Sequence, residues 1–258
     1  RGTHKPEVSG SIPLPATKKF VNNYFKKKYI RFCETSSFLK IKFFYHKFFK
    51  EKHLGTLGLN FIDKPNRLEI VQELINIKKY KSYLEIGCFK DELFANIICE
   101  KKIGVDPISG GTIRKTSDDF FNLNDQYFDI IFIDGLHLYE QVKRDIDNSI
   151  KFLNKDGIIL LHDCLPNTVY DQAVPRCKIN WNGDVWKAIV EARTYDNIET
   201  FTCIADHGLG VILKRKNSKI LDIKNKDFKN LKFSDYYKQH KDFMNPVTYE
   251  QLKTIIQN

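Results

Sequence analysis

An acid and an imidazole follow an apolar run near the middle of the chain. The run Phe128–Ile133 is followed at once by Asp134 and Gly135, and His137 comes two residues later. Such a run suits a strand that is buried on both faces of a parallel sheet. Parallel sheets bind ligands at the carboxyl ends of their strands, so Asp134 and His137 are placed for proton transfer or cation binding. A plain turn is the alternative, because Asp-Gly is common in loops.

A second acid, Asp163, comes after another apolar run at residues 157–161, and His162 precedes it. If the two runs form neighbouring strands, their ends lie about 5 Å apart. Two carboxylates that close repel each other unless a proton or a cation lies between them. A hard divalent ion such as Mg²⁺ fits this pair, whereas an imidazole ligand suits a transition metal better. We therefore predict a metal at Asp134 and Asp163, with His162 as a third candidate ligand that could equally face away.

Alternating strand and helix patterns would place these residues at one edge of a sheet. Predicted strands cover residues 82–86, 102–105, 112–116, 128–133, 157–161, 200–204 and 209–213, and predicted helices cover 68–77, 93–99, 139–152 and 185–193. Strands that alternate with helices indicate crossover connections and a parallel sheet. The turn at residues 205–208 predicts an antiparallel hairpin at the end. The pattern is therefore typical of a doubly wound α/β fold.

The positive charge of the chain is concentrated in its first part. The net charge is +10, and residues 1–60 hold 13 Lys and Arg against 3 acids, so the rest is neutral. A neutral body argues against a nucleic-acid substrate, which needs basic charge near the site. There is no run of about 18 apolar residues that would predict a membrane span. The six cysteines include no CxxC pair, which argues against a zinc knuckle and favours reduced thiols in a cytoplasmic protein.

Four short motifs occur in the order and spacing of a known family. They are Leu84-Glu85-Ile86-Gly87, Gly104-Val105-Asp106, Phe132-Ile133-Asp134-Gly135 and the run from Gly157 to Asp163. Over about residues 66–214 the chain resembles class I S-adenosylmethionine-dependent methyltransferases. The Asp-Gly-x-His-x-Tyr-Glu signature is similar to bacterial sugar O-methyltransferases of the macrocin type and to cephalosporin-biosynthesis methyltransferases. The resemblance implies a seven-stranded Rossmann-like sheet, S-adenosylmethionine as cofactor, and Mg²⁺-assisted methyl transfer to a hydroxyl of a sugar or surface-glycan precursor.

The resemblance also implies roles for single residues. The cofactor residues are Glu85, Gly87, Asp106 and Asp118. Asp106 would accept hydrogen bonds from the ribose hydroxyls, and Asp118 would accept one from the adenine amino group. His137 is the candidate general base, because a hydroxyl proton must leave during methyl transfer and an ordinary histidine pKa of about 6.5 suits that task. A loop-ordering or helix-capping role is the alternative for His137.

Three further residues are predicted to bind the substrate, and one position departs from the family. Trp181, Asp184 and Trp186 are the predicted substrate residues, because tryptophan faces pack on sugar rings and aspartate binds hydroxyls. Core packing by Trp186 and helix capping by Asp184 are the alternatives. Family members usually carry a second glycine shortly after the first strand, where this chain has Asp91.

The chain is predicted to have four parts. A leader or tag remnant covers residues 1–17, a basic helical appendage 18–60, the methyltransferase domain 61–216 and a C-terminal helical tail 217–258. In the appendage, Ser36 or Ser37 is predicted to cap an amphipathic helix with one aromatic side and one lysine side. Its aromatic side could pack on its own domain or on a second copy in a homo-oligomer. Alternatively, residues 18–52 could contact a membrane surface at the inner face, or nucleic acid.

Two other functions are kept as alternatives. The first is a non-catalytic scaffold in a membrane-associated glycan assembly. The second is a nicotinamide-dependent dehydrogenase, but no Gly-x-Gly-x-x-Gly sequence follows the first predicted strand, which argues against it.

Overall fold

A seven-stranded sheet forms the centre of the molecule in the computed structural model, which describes residues 35–257. The strands are β1 (Ser82–Ile86), β2 (Lys101–Val105), β3 (Phe128–Ile133), β4 (Leu153–Leu161), β5 (Glu199–Cys203), β6 (Leu209–Leu213) and β7 (Pro246–Val247). Their order is β2-β1-β3-β4-β6-β5-β7, and only β6 runs antiparallel to its neighbours. The predicted mostly parallel sheet with an antiparallel last hairpin is therefore confirmed.

Helices cover both faces of the sheet. They are α1 (Ser36–Phe49), α2 (Arg67–Lys78), α3 (Ser117–Phe121), α4 (Tyr139–Phe152), α5 (Val185–Ala192), α6 (Phe233–Met244) and α7 (Tyr249–Gln257). Within residues 35–257, no helix combines the length and apolar character that crossing a bilayer requires. The predicted leader and residues 18–34 of the predicted appendage, which include Cys33, lie outside the described residues.

The central strand β3 contributes side chains to two separate hydrophobic cores. Ile131 and Ile133 belong to one buried cluster, which includes side chains of α4 and α5. Ile130 and Phe132 belong to the other cluster, which includes side chains of α2. Side chains alternate across a strand, so an unbroken apolar run is what a strand buried on both faces needs.

Three neighbouring strands end side by side. Ile86 of β1 pairs with Ile133 of β3, which in turn pairs with Leu161 of β4. The amide of Asp134 donates to the carbonyl of Ile86, at 2.8 Å, which continues the pairing beyond the strand. The residues that follow these three strands therefore emerge at one edge of the sheet.

Two predicted elements are wrong. The strand at residues 112–116 is reduced to a single bridge between Val105 and Ile113. Residues 93–99 form turns instead of a helix. The Lys102 ammonium donates to the carbonyls of Phe94 and Ala95, at 2.8 and 3.4 Å, so it occupies acceptors that a helix would use for its own backbone.

Candidate active site

Two aspartates and two histidines form one cluster at the carboxyl edge of the sheet. Nε2 of His137 lies 3.1 Å from Oδ1 of Asp134, and its Nδ1 lies 3.4 Å from Oδ2 of Asp163. Nδ1 of His162 lies 3.4 Å from Oδ1 of Asp134 and 3.3 Å from Oδ2 of Asp163. Each imidazole therefore bridges both carboxylates, and all four residues predicted for catalysis or metal binding lie together.

The carboxylates and the imidazoles of the cluster shift one another's pKa values. Burial alone would raise the pKa of Asp134, but the His162 and His137 imidazoles outweigh burial and hold that pKa well below its ordinary value. Burial would lower the pKa of His162, but Asp134 and Asp163 raise it well above its usual range. The pKa of His137 is also raised, because its hydrogen bond to Asp134 outweighs burial. Opposite charges thus stabilise one another, and His137 can act as a base only in its neutral form.

The cluster supplies ligand atoms for a cation. One ligand atom each from Asp134, His162 and Asp163 lie within 4.8 Å of one another. Two carboxylate oxygens and one imidazole nitrogen fit a divalent ion, and the nitrogen suits Mn²⁺ or another transition metal better than Mg²⁺. His162 lies with the two acids, so the alternative in which it faces away is excluded.

The segment at residues 181–183 covers the cluster. The Trp181 ring stacks on the His137 ring, with centroids 5.4 Å apart and planes at 21°. The Asn182 amide donates to Oδ1 of Asp163 at 3.0 Å, which helps to orient that carboxylate. Gly183 has φ 63°, and a Cβ there would lie 1.9 Å from the His137 carbonyl oxygen. Only glycine permits this approach, which brings Trp181 onto the cluster.

Two predicted substrate residues have structural roles. Oδ1 of Asp184 accepts a hydrogen bond from the Tyr139 amide at 2.7 Å, and Oδ2 lies 3.4 Å from the Lys187 ammonium. Asp184 therefore caps α4, not the helix α5 that follows it. Trp186 is fully buried and packs on Tyr236, with ring centroids 4.8 Å apart. It has no surface on which a substrate could lie, so the packing alternative replaces its predicted role.

The residue that follows β1 lies close to the backbone of the residue that follows β3. Gly87 has φ 90°, and a Cβ there would lie 2.2 Å from the carbonyl oxygen of Asp134. Gly87 is predicted from the sequence to make room for a cofactor, but the neighbour that requires glycine is the end of β3. Asp91 has φ 63°, so the chain keeps a glycine-like conformation at the position where the family has its second glycine. Its Oδ1 accepts a hydrogen bond from the Gly111 amide at 2.6 Å.

Asp106 is held by backbone amides at the end of β2. Its Oδ2 accepts from Phe89 at 2.9 Å, and its Oδ1 accepts from Ile108 and Ser109 at 2.7 and 2.8 Å. A carboxylate has about four acceptor positions. One position therefore remains for a ribose hydroxyl, and the predicted pair of ribose bonds would require one amide bond to be given up.

The two other predicted cofactor residues differ in exposure. Glu85 is buried and accepts a hydrogen bond from the Tyr83 hydroxyl. Burial is the main reason that its pKa rises to about 7. The Asp118 side chain is 41% exposed and lies 3.4 Å from the Arg144 guanidinium. Asp118 therefore lies at the surface, whereas Glu85 is buried.

Sequence reasoning missed two residues that hold His162. Nε2 of His162 lies 3.4 Å from Oδ1 of Asp206 and 3.1 Å from Nη1 of Arg67. Oδ2 of Asp206 accepts from the Arg67 amide at 2.7 Å, which ties the β5–β6 turn to the start of α2. Asp206 follows the carboxyl end of β5, at the same edge of the sheet as the cluster. That position is the available signal, but the sequence Ala205-Asp206-His207-Gly208 by itself predicts only a turn.

We predict that Asp206→Asn weakens divalent-cation binding about 10-fold, because an acid behind a ligand histidine fixes the ring and raises its basicity. Calorimetric titration with Mn²⁺ would measure the change. Asp125→Asn, at an exposed acid that precedes the amino end of β3, is the matched control and should bind Mn²⁺ like the unchanged protein. Equal Mn²⁺ affinity in Asp206→Asn would contradict a positioning role for Asp206.

Comparison with known families agrees with the site's position. Residues 97–164 match the family model described as "Methyltransferase domain". The matched segment includes β2, β3 and β4 and all four residues of the cluster. The candidate active site therefore lies within the segment that matches this model. The comparison with curated proteins finds no match.

Several solved structures are similar at low identity. The plantazolicin methyltransferase BpumL in complex with SAH is 17% identical over 36% of this chain and 44% of its own, with a TM-score of 0.31. The O-methyltransferase from Bacillus cereus with SAH is 12% identical over 60% and 82%, with a TM-score of 0.42. The MycE methyltransferase of mycinamycin biosynthesis, with Mg and SAH, is 14% identical over 64% and 53%, with a TM-score of 0.41. The chain thus spans about half of BpumL and of MycE, and such low scores say nothing about its substrate.

Proposed function

We propose that this chain is an S-adenosylmethionine-dependent O-methyltransferase that uses a divalent cation and acts on a hydroxyl of a sugar or glycan precursor. The observation that carries the proposal is the cluster of Asp134, His137, His162 and Asp163 at the carboxyl edge of the sheet, inside the segment that matches a methyltransferase model. Methyl transfer to oxygen needs the acceptor aligned with the donor methyl group and a group that takes the hydroxyl proton. This edge has the side chains for both tasks.

The donor is proposed to lie over the ends of β1 and β2. Asp106 has one acceptor position left for a ribose hydroxyl, since its other positions hold backbone amides. Asp118 is exposed enough to accept from the adenine amino group while it keeps its contact with Arg144. Gly87 lets the backbone that follows β1, where the donor would lie, come close to the backbone of Asp134.

The acceptor hydroxyl is proposed to enter between Asp134 and His137. There it would replace the 3.1 Å contact between these side chains and give its proton to Nε2 of His137. Asp134, Asp163 and His162 would hold the divalent cation, which when bound lowers the pKa of the hydroxyl. Cation binding also favours neutral imidazoles, so it favours the form of His137 that can accept a proton.

A sugar acceptor is supported by the surroundings of the cluster. Trp181 lies directly on His137, and an indole beside a hydroxyl-binding site is suited to pack on a sugar ring. Two carboxylates that share a cation can also hold two adjacent hydroxyls.

The proposal is tested first by cofactor binding and then by methyl transfer. We predict that calorimetry detects saturable binding of S-adenosylhomocysteine and none of NAD⁺. We also predict that methyl-labelled S-adenosylmethionine transfers its label to a member of a panel of sugars and nucleotide sugars, and that EDTA stops the transfer until Mn²⁺ or Mg²⁺ is added. Folded protein that binds no S-adenosylhomocysteine would favour the scaffold alternative, and transfer that continues in EDTA would refute the role of the cation.

A further inference from the structure

Helix α1 exposes an apolar surface that the rest of the described chain does not cover. Its exposed apolar side chains, here called the aromatic face, are Ile41, Phe44, Tyr45, Phe48 and Phe49. Phe48 is 65% exposed and Phe49 is 76% exposed. The Phe44 and Phe48 rings stack at 6.4 Å, and the Tyr45 and Phe49 rings at 5.9 Å, so the face is continuous. Contiguous apolar patches on a surface mark interaction sites.

The opposite side of α1 already packs on the domain. Leu39 and His46 are buried, and Nε2 of His46 lies 2.8 Å from the Pro175 carbonyl oxygen. The Phe43 ring packs on the Tyr170 ring at 4.5 Å. These contacts fix the rotation of the helix about its axis. The aromatic face is therefore held outward, and packing on its own domain, one of the alternatives that the sequence leaves open, does not take place within the described residues.

Lysines border the aromatic face on both sides. At about 100° per residue, Lys40 and Lys47 lie along one border and Lys42 lies along the other. The ammonium of Lys47 lies 5.7 Å from the centroid of the Phe48 ring. No acid occurs in α1 to offset this charge. An apolar stripe between rows of lysines is complementary to a surface with an apolar interior and negative head groups.

We propose that α1 docks on an anionic membrane surface, with the aromatic face in the boundary between head groups and acyl chains and the lysines at the lipid phosphates. A second copy of this chain is the less favourable occupant, because a two-fold contact between two aromatic faces would bring the lysine borders of both copies together. Helix α1 contacts Pro175 and Tyr170, in the same long loop that carries Trp181. Docking therefore brings the candidate active site to the membrane surface.

Vesicle sedimentation of the full chain tests the proposal. The unchanged protein should bind vesicles of phosphatidylcholine with phosphatidylglycerol, and bind vesicles of phosphatidylcholine alone much less. The double variant Phe44→Ser and Phe48→Ser should bind at least about 10-fold less, because each buried phenylalanine contributes strongly to partitioning. The double variant Lys40→Gln and Lys47→Gln should lose affinity only for vesicles that contain phosphatidylglycerol, by about 10-fold or more.

The matched control removes two exposed apolar side chains elsewhere. Ile98 and Leu123 are 79% and 73% exposed, and the double variant Ile98→Ser and Leu123→Ser should bind like the unchanged protein. Circular dichroism would check that each variant keeps its helical content. The proposal fails if the phenylalanine variant binds vesicles normally or if lipid charge has no effect. It also fails if light scattering shows a dimer that this variant dissociates while no vesicle binding occurs, which would make a second copy the occupant.

Discussion

Replacement of Asp134 by asparagine is expected to reduce methyl transfer by about 100- to 10,000-fold, the range typical of losing a group that acts in proton transfer or charge stabilisation. Asparagine keeps the volume of aspartate but carries no charge. Its neutral amide oxygen is a weaker cation ligand than a carboxylate, and it no longer stabilises the imidazolium forms of His137 and His162. The loss should appear in turnover, because the change removes charge at the point where the hydroxyl proton leaves.

The same variant should bind S-adenosylhomocysteine as tightly as the unchanged protein. Asp134 follows β3, whereas the proposed ribose contact is made by Asp106 after β2. Calorimetry with S-adenosylhomocysteine and a labelled-methyl assay would separate the two effects. Asp125→Asn is the control for removing one negative charge and should leave both readouts unchanged. Full turnover in Asp134→Asn would show that the chemistry does not take place at this cluster.

The sequence alone is sufficient to predict an element when its residue pattern has a local physical cause. The run Phe128–Ile133 predicts a strand that is buried on both faces, and the structure shows its side chains in two cores. Once this run is a central strand, the next strand along the chain is expected beside it. Ile133 of β3 pairs with Leu161 of β4, so this register brings Asp134 and Asp163 together. The prediction of the cluster thus depended on topology and needed no information about side-chain conformations.

Where the sequence was not sufficient, the deciding partner was distant in the chain or the pattern was ambiguous. Lys102 binds the backbone carbonyls of Phe94 and Ala95, which a helix over residues 93–99 would need, and no periodicity reveals that competition. A helical wheel shows that α1 has an aromatic side, but the contact between His46 and Pro175 decides that this side faces outward. Asp206 supports His162 from a hairpin turn, where an acid is ordinarily explained by the turn itself.

Replacement of Gly87 by alanine should lower both stability and activity without removing any functional group. A Cβ at Gly87 would lie 2.2 Å from the Asp134 carbonyl oxygen, and φ is 90°, where a side chain is strained in any case. Strain of this kind costs about 1–3 kcal/mol, and overpacking a close contact costs a further 1–3 kcal/mol or so. We expect the free energy of unfolding to fall by about 2–6 kcal/mol and activity to fall as well, because the displaced backbone carries Asp134.

The variant Gly58→Ala separates the cost of the steric contact with Asp134 from the cost of a side chain at positive φ. Gly58 also has a positive φ, 71°, but no atom lies within 4 Å of a Cβ built there. Gly58→Ala should therefore cost only the conformational part, about 1 kcal/mol, and leave activity unchanged. Urea unfolding of both variants would give the two costs on one scale. Equal costs would mean that the backbone of β3 yields to the added methyl group, and that the approach of β1 to Asp134 does not set the geometry of the cluster.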